Sequence, residues 1–271
     1  MKSFFRFLIF SNILVAFCVL ALALSTEILL GIQANYKISQ FVFFATLFAY
    51  NFQRVVRIKK GKDHIRKDWL NHHKIAIYSL MLLGGLMSAY LFFEFQRPTQ
   101  IAIVVSGVLS IGYPFGLRKI PGSKIFIIAL VWTISTMLLV LLENQIPLSQ
   151  NITLHLLARF LLIFAITIPF DIRDLNFDNK ELRTIPIVFG ALKARIIAIS
   201  ALFICAIIAV FQHINEDINL PNLLALILLY FVSSIFIAKS DVSKREMYFS
   251  FWVESLSILG YIFLLISALI F

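Results

Sequence analysis

The feature of this sequence that most restricts its fold is a succession of apolar runs, each long enough to cross a lipid bilayer. The hydrocarbon core is about 30 Å thick and an α-helix rises about 1.5 Å per residue, so a span needs about 20 apolar residues. Nine runs fit this length: residues 5–31, 38–57, 75–95, 100–117, 123–143, 152–171, 194–213, 221–239 and 250–270. We therefore predict an all-α, polytopic membrane protein with about nine transmembrane helices in a single domain, residues 1–271.

The composition excludes other classes of protein. Apolar residues make up 61% of the chain and charged residues only 14%, whereas soluble domains carry about 25% charged residues. The two cysteines, Cys18 and Cys205, lie inside apolar runs, which excludes a small secreted domain built on disulfides. The first run is too long for a signal peptide and has no suitable cleavage site, so we expect it to be a helix.

The positions of the basic residues predict the orientation. If the N-terminus is cytoplasmic, 21 of the 24 lysines and arginines fall on the cytoplasmic side, and only Lys37 and Arg97 fall outside. Arg159 lies within a predicted helix. Cytoplasmic loops are enriched in such residues, so we predict a cytoplasmic N-terminus and an external C-terminus. The net charge of +10 then reflects orientation, and we expect no nucleic-acid partner.

Three acidic residues stand where the sixth predicted helix leaves the membrane: Asp171, Asp174 and Asp178. If the helix continues, all three converge on one face, because residues four apart are neighbours on a helix surface. Carboxylates that close repel one another unless a cation bridges them, and Mg²⁺ prefers such oxygen ligands together with substrate phosphate. The pattern therefore indicates a Mg²⁺ site. The alternative is a solvated helix end, screened by Arg173, Lys180 and Arg183.

The segment from Asp174 to Gly190 resembles the second aspartate motif of the UbiA superfamily of intramembrane prenyltransferases. That motif is a DxxxD followed by a short basic stretch, a threonine (here Thr184), an apolar run and a glycine. Arg173 stands directly before the first aspartate, as an arginine does in some members. This chain is one residue shorter between Asp178 and Thr184 than some members.

A second resemblance lies at the end of the fourth predicted helix, in the sequence Gly-Tyr-Pro-Phe-Gly-Leu-Arg-Lys of residues 112–119. It is similar to the family's Tyr-Pro segment with its basic pair, which helps to hold the diphosphate. The resemblance implies that role for Tyr113, Arg118 and Lys119. Taken alone, the segment also fits a helix end that simply obeys the positive-inside rule.

The first aspartate motif of the family, Asn-xxx-Asp-xxx-Asp, is only partly present. Asn51 matches its asparagine, but Val55 and Lys59 stand at the two acidic positions. Arg54 lies nearly on the same helix face as Asn51, and arginine binds phosphate oxygens with a bidentate fork. We therefore expect Arg54, with Arg57, to contact the diphosphate. The alternative is that both arginines anchor the helix among the lipid head groups.

The resemblance implies a UbiA-like helical bundle with a polar site that faces the cytoplasm. It implies transfer of an isoprenyl group from a prenyl diphosphate to a lipid-soluble acceptor, often an aromatic ring. Such an enzyme is a transferase of alkyl or aryl groups other than methyl. We expect Asp174 and Asp178 to be catalytic, with one Mg²⁺ held by Asp171, Asp174 and Asp178. The diphosphate-binding residues would be Asn51, Arg54, Arg57, Tyr113, Arg118, Lys119 and Arg173.

Two other functions stay open. The missing acids of the first motif favour a non-catalytic relative that binds a prenyl lipid or a protein partner. A secondary transporter is less favoured, because the chain shows no paired halves with matching broken helices. His155 and Arg159 lie four residues apart at membrane depth, where ionisable groups usually face inward. They predict a polar site or a buried pair, in which Glu27 or Glu143 could take part.

Overall fold

The computed structural model describes residues 2–33, 36–59, 67–113, 115, 117, 120–176 and 180–270. Every regular element in these ranges is helical, as the sequence predicts. The α-helices are α1 (Lys2–Phe10), α2 (Ile13–Leu29), α3 (Tyr36–Lys59), α4 (Lys67–His72), α5 (Lys74–Phe92), α6 (Arg97–Gly112), α7 (Ser123–Thr133), α8 (Leu139–Glu143), α9 (Gln150–Arg173), α10 (Ile185–Ile214), α11 (Leu220–Ala238) and α12 (Leu256–Ile270).

Six helical stretches of the described chain are long and apolar enough to cross a membrane: Lys74–Phe92, Ser123–Glu143, Gln150–Asn176, Ile185–Ile214, Leu220–Ala238 and Tyr248–Ile270. The bent pair of α1 and α2 makes a seventh if it counts as one span. The chain is therefore a multi-pass integral membrane protein. Helices α3 and α6 are not in this set, and α6 has only 16 residues, so nine spans remains a prediction.

The helices pack side by side in an order that nearly follows the chain. Helix α3 packs between α5 and α2, α2 contacts α12, and the sequence α12, α11, α10, α9 and α7 continues from there. The π-helical segment Ile134–Leu138, which links α7 to α8, packs against α2 and closes the arrangement. One buried apolar core runs through the bundle and includes Leu22, Leu139, Ala165 and Ile168.

The first apolar run is not one continuous helix. Helices α1 and α2 meet at an angle of 68°, so the prediction of one helix over residues 5–31 is wrong at this point. Asn12 adopts a left-handed backbone conformation with φ 62°, which ends α1, and asparagine tolerates that conformation better than most residues. The break lies at Ser11 and Asn12, and both residues are completely buried.

Helix α10 also differs from the sequence-based boundaries, since it begins at Ile185 and not near 194. Pro186 lies in its first turn, where a missing N–H removes no helical hydrogen bond. Gly190 then interrupts the helix with φ 80° and ψ 159°, a combination that only glycine adopts readily. A short apolar helical turn therefore precedes the break, and the sequence periodicity did not separate it from the loop.

Polar side chains join neighbouring helices at both ends of the bundle. At one end, Lys37 on α3 pairs with Glu94 after α5 at 3.0 Å. At the other end, Gln53 on α3 donates to the Ser110 carbonyl of α6 at 2.8 Å, and Arg195 on α10 donates to the Ala238 carbonyl of α11 at 3.2 Å. This second end is the one that the charge distribution predicts to be cytoplasmic.

Candidate active site

Asp171 and Asp174 lie together at the end of α9 and share one basic partner from α7. The Lys124 Nζ atom is 2.6 Å from Asp171 Oδ1 and 3.6 Å from Asp174 Oδ2. The Asp171 side chain is only 1% exposed, and that of Lys124 is 10% exposed. A carboxylate that is so deeply buried requires a cation close by, because desolvation of an unpaired charge is costly. The two acids that the sequence places on one face are therefore brought together, with an ammonium group between them.

The α-helix does not continue through the third acid. Helix α9 ends at Arg173, and Asp174–Asn176 form a 3₁₀ turn. The condition for three converging carboxylates, a continuous helix over 171–178, is thus not met. Asp178 lies outside the described residues. The structure consequently gives the positions of Asp171 and Asp174 only.

Lys124 is held in place by the backbone that precedes it. Gly122 adopts φ 74° and donates its N–H to the Leu182 carbonyl at 2.9 Å, which ties the start of α7 to the connection between α9 and α10. The Ser123 hydroxyl donates to the carbonyl of Leu117 at 2.9 Å. Lys124 therefore lies in the first turn of α7, directly after two residues that are held by hydrogen bonds. Its buried side chain contacts Asp171 and Asp174 of α9.

Arg173 joins α9 to the segment that precedes the last span. Its Nε atom donates to Asp174 Oδ1 at 2.8 Å, and its Nη1 atom lies 3.3 Å from Glu246 Oε2. Glu246 in turn accepts a hydrogen bond from the Ser250 hydroxyl at 2.6 Å. The guanidinium also lies 5.3 Å from the ring centre of Phe170, within the range of a cation–π interaction. Arg173 is thus engaged by two carboxylates and by an aromatic face.

The C-terminal end of α3 supplies further positive charge. Arg54 and Arg57 are half-buried, and the Nη1 atom of Arg54 and the Nε atom of Arg57 are shielded from solvent. Arg57 lies near enough to Asp174 for its charge to act on that carboxylate. Both predicted arginines are therefore partly enclosed by the protein, and the charge of Arg57 acts on Asp174.

Tyr113 and Tyr50 lie in the same region. Tyr113 follows the last residue of α6, which is joined to α3 by the hydrogen bond from Gln53 to the Ser110 carbonyl. The Tyr50 hydroxyl on α3 accepts a hydrogen bond from the Trp132 indole at 2.8 Å. Tyr50 immediately precedes Asn51 on α3, so the end of α6 is adjacent to the first-motif segment. Arg118 and Lys119 lie outside the described residues.

Asn51 is completely buried and fully engaged by protein groups. Its Oδ1 atom accepts a hydrogen bond from the Asn12 amide at 2.8 Å. Its Nδ2 atom donates to the carbonyls of Ser11 and Leu47, both at 2.9 Å. The first-motif asparagine therefore fixes the break between α1 and α2, and its two amide N–H groups already have acceptors.

Sequence reasoning did not nominate Lys124 or Glu246. Lys124 fits the positive-inside pattern of the charge distribution, and it also begins an otherwise apolar run of residues. An ionisable side chain within a span is costly and often functional, and that signal could have identified it. Glu246 carries no comparable signal, because it lies in a polar connection between two spans.

Of the three predicted Mg²⁺ ligands, the structure describes two, Asp171 and Asp174. Asp171 is enclosed with Lys124, so its carboxylate is not available to a hydrated ion. The Asp174 side chain is 24% exposed, and each of its oxygens can accept more than one partner. Among the described residues, no group of three or more His, Cys, Asp or Glu side chains could hold a metal. Of the predicted ligands, Asp174 fits, and Asp178 would have to complete the site.

A second polar cluster lies deep in the bundle. Arg159 is 6% exposed, and it donates to the Leu22 carbonyl at 2.7 Å, to the Ser25 hydroxyl at 3.1 Å and to the Thr26 hydroxyl at 3.1 Å. Glu143 instead accepts a hydrogen bond from the Gln96 backbone at 3.2 Å. The predicted polar environment of Arg159 is therefore built from the hydroxyl and carbonyl groups of α2.

Comparison with known proteins places this geometry in a family. The sequence model of the UbiA prenyltransferase family matches residues 71–256. Digeranylgeranylglyceryl phosphate synthase of Methanosphaera stadtmanae is 27% identical over 250 residues, which cover 88% of each chain. Two structures of a UbiA homolog from Archaeoglobus fulgidus also superpose on this fold. The structure bound to GPP and Mg²⁺ has a TM-score of 0.67 at 12% identity, covering 97% of this chain and 99% of the homolog.

The structure bound to DMAPP and Mg²⁺ has a TM-score of 0.63 at 15% identity, covering 98% of this chain and 99% of the homolog. At these identities the superpositions establish the helical architecture, whereas the family model establishes the relationship from sequence. That model spans more than half of this chain and includes Lys124, Asp171, Arg173 and Asp174. The chain belongs to the UbiA prenyltransferase family.

Proposed function

We propose that this protein transfers an isoprenyl group from a prenyl diphosphate to a lipid-soluble acceptor within the membrane. The observation that carries this proposal is the charged cluster at one end of the bundle. There Asp171 and Asp174 of α9 meet Lys124 of α7, and Arg57 of α3 adds a positive charge that acts on Asp174. Such a mixture of fixed cations and carboxylates suits a ligand that is itself a multivalent anion.

The reaction requires the allylic carbon–oxygen bond to ionise, which leaves negative charge on the departing diphosphate. Fixed positive groups in a site from which water is excluded stabilise that developing charge. Arg54 and Arg57 would supply positive charge from α3. Arg118 and Lys119 would supply positive charge from the connection after α6. A Mg²⁺ ion, held by Asp174 and Asp178, would neutralise part of the diphosphate charge.

The buried contacts support different contributions for the remaining predicted residues. Arg173 is paired with Asp174 and Glu246, so its contribution would be to hold the Asp174 carboxylate in position. Asn51 would act by fixing the turn of α3 that carries Arg54, since its own amide is engaged by Ser11 and Asn12. Tyr113 lies beside this turn and would contact the diphosphate with its hydroxyl.

The acceptor belongs to one of two chemical classes. Family resemblance suggests an aromatic ring, which attacks through carbon. The name of the Methanosphaera relative adds a prenylated glyceryl phosphate, which attacks through a hydroxyl oxygen. Both classes are amphipathic and reach the site from the bilayer, so we propose a membrane lipid as the acceptor.

A non-catalytic relative that binds a prenyl lipid or a protein partner is the second candidate. Val55 and Lys59 occupy the positions at which the first motif carries its acids, and this observation favours it. The retained pair of Asp171 and Asp174, held by cations in a buried cluster, favours an intact diphosphate site. A measurement of prenyl transfer therefore distinguishes the enzyme from the non-catalytic binding protein.

The deciding assay uses the purified protein in liposomes with radiolabelled prenyl diphosphates of several chain lengths and a lipid extract of the host. We expect labelled lipid to form only with Mg²⁺ and only with intact protein. Asp174→Asn should abolish the product. Saturable binding of a prenyl diphosphate without any labelled product would support the non-catalytic candidate. Absence of both binding and product would contradict the proposed function.

A further inference from the structure

We propose that the ammonium group of Lys124 occupies the position of a bound cation between Asp171 and Asp174, and that it prevents a divalent ion from binding there. This inference rests on the proposed function, in which Asp174 and Asp178 hold one Mg²⁺. It assigns to Lys124 a positioning role that determines how many ions the cluster takes. The ammonium group would fill the space where two neighbouring carboxylates could otherwise share a metal.

The distances support this role. The Lys124 Nζ atom contacts Asp171 Oδ1 at 2.6 Å and reaches Asp174 Oδ2 at 3.6 Å, so it lies between the two side chains. Magnesium requires oxygen ligands at about 2.1 Å in an octahedral arrangement and keeps several waters. A metal could not approach the same Asp171 oxygen while the ammonium remains there, and the buried surroundings leave little room for its hydration shell.

The charges support the same conclusion. An ammonium and a divalent ion about 4 Å apart repel each other by several times the thermal energy, even when the effective dielectric is that of a protein surface. The backbone before Lys124 is held in place, because Gly122 is hydrogen-bonded to Leu182 and Ser123 is hydrogen-bonded to Leu117. The Lys124 side chain is itself only 10% exposed. Lys124 would therefore keep a divalent ion out of the space between Asp171 and Asp174.

Three variants test the inference through metal binding, without reference to turnover. Lys124→Met removes the ammonium and leaves both carboxylates. Lys124→Met combined with Asp171→Asn removes the ammonium together with the carboxylate that it contacts. Lys193→Met, an exposed lysine on α10, is the control for the loss of one positive charge. Mn²⁺ binding to each purified protein in detergent is titrated by electron paramagnetic resonance, without substrate.

We expect Lys124→Met to bind Mn²⁺ about tenfold or more tightly than the wild type, or to bind one additional ion. The double variant should lose that gain, and Lys193→Met should bind as the wild type does. If Lys124→Met unfolds without metal, its thermal unfolding is followed during addition of Mg²⁺, and the ion should restore its stability. Unchanged Mn²⁺ binding in a folded Lys124→Met protein, or instability that Mg²⁺ does not relieve, would overturn the inference.

A separate measurement distinguishes failure of this inference from failure of the proposed function. Binding of a prenyl diphosphate to the wild-type protein tests the function and does not depend on the Lys124 variants. If the wild type binds the diphosphate with Mg²⁺ while Lys124→Met binds Mn²⁺ as before, only the role of Lys124 is wrong. If the wild type binds no diphosphate, the proposed function fails regardless of the metal titration.

Discussion

The amide of Asn12 donates a hydrogen bond to Oδ1 of Asn51 at 2.8 Å, and both side chains are completely buried. This contact joins the break in the first apolar segment to the turn of α3 that carries Arg54. Asn51 therefore has a structural role in this protein, although the two acidic positions of its motif are occupied by Val55 and Lys59. In this protein Asn51 holds two helices in register, and its role in ligand binding would be indirect.

Asn51→Ala should therefore destabilise the protein by about 2–3 kcal/mol, because it leaves the buried Asn12 amide and the Ser11 carbonyl without partners. Unfolding in detergent is measured against Gln33→Ala, which changes an exposed amide and should have little effect. Wild-type stability combined with loss of prenyl diphosphate binding would show instead that Asn51 contacts the ligand directly.

Asp174→Asn and Asp178→Asn should each weaken Mg²⁺-dependent binding of a prenyl diphosphate at least tenfold, while both proteins stay folded. Asp174 keeps hydrogen-bonding capacity as asparagine but no longer offers a charged oxygen to a cation. Isothermal titration with and without Mg²⁺ measures the effect, and Asp217→Asn changes an exposed acid as the control. If both variants bind like the wild type, these acids do not take part in Mg²⁺-dependent diphosphate binding, and the pairing of Asp174 with Arg173 and Lys124 is only structural.

The orientation can be checked by labelling single cysteines in intact cells. The native Cys18 and Cys205 are buried, so an impermeant maleimide should not reach them in the folded protein. We expect Ser243→Cys to be labelled only from the cytoplasm and Glu216→Cys only from outside, since both positions are exposed and lie at opposite ends of the bundle. The reverse pattern would place the charged cluster on the external side.

The sequence was sufficient to predict the helical class, most of the spans and the acids at the end of α9. These features are local, because they depend on run length, breaker residues and the spacing of side chains along one helix. The pairing of Asp171 with Lys124 could not be predicted in the same way. It depends on the packing of α7 against α9, and no periodicity reveals which helices are neighbours.

The same reasoning explains the remaining differences. Helix α9 ends at Arg173, where the Arg173 side chain contacts Asp174 and Glu246, and Glu246 is distant in sequence. Arg159 was recognised as an intramembrane charge, but carboxylates were considered as its partners. The structure supplies carbonyl and hydroxyl oxygens of α2 instead, groups that sequence patterns do not identify as acceptors.

Arg54 provides the most specific test of diphosphate recognition, because it stands where the family has the turn between its asparagine and first acid. The dissociation constants of a prenyl diphosphate and of the matching prenyl alcohol are measured for the wild type and Arg54→Ala in nanodiscs with Mg²⁺. Loss of a charge-assisted contact at a partly buried site costs roughly 1.5–3 kcal/mol, or about 10- to 150-fold in affinity. Arg97→Ala, an exposed arginine at the opposite end of the bundle, is the control.

We predict that the wild type binds the diphosphate far more tightly than the alcohol. Arg54→Ala should raise the dissociation constant of the diphosphate by that factor and leave the alcohol nearly unchanged. Arg54→Lys should already weaken diphosphate binding, since lysine lacks the bidentate fork. Equal affinity of the wild type for both ligands, or an Arg54→Ala protein that binds the diphosphate as the wild type does, would contradict a diphosphate site at this end of the bundle.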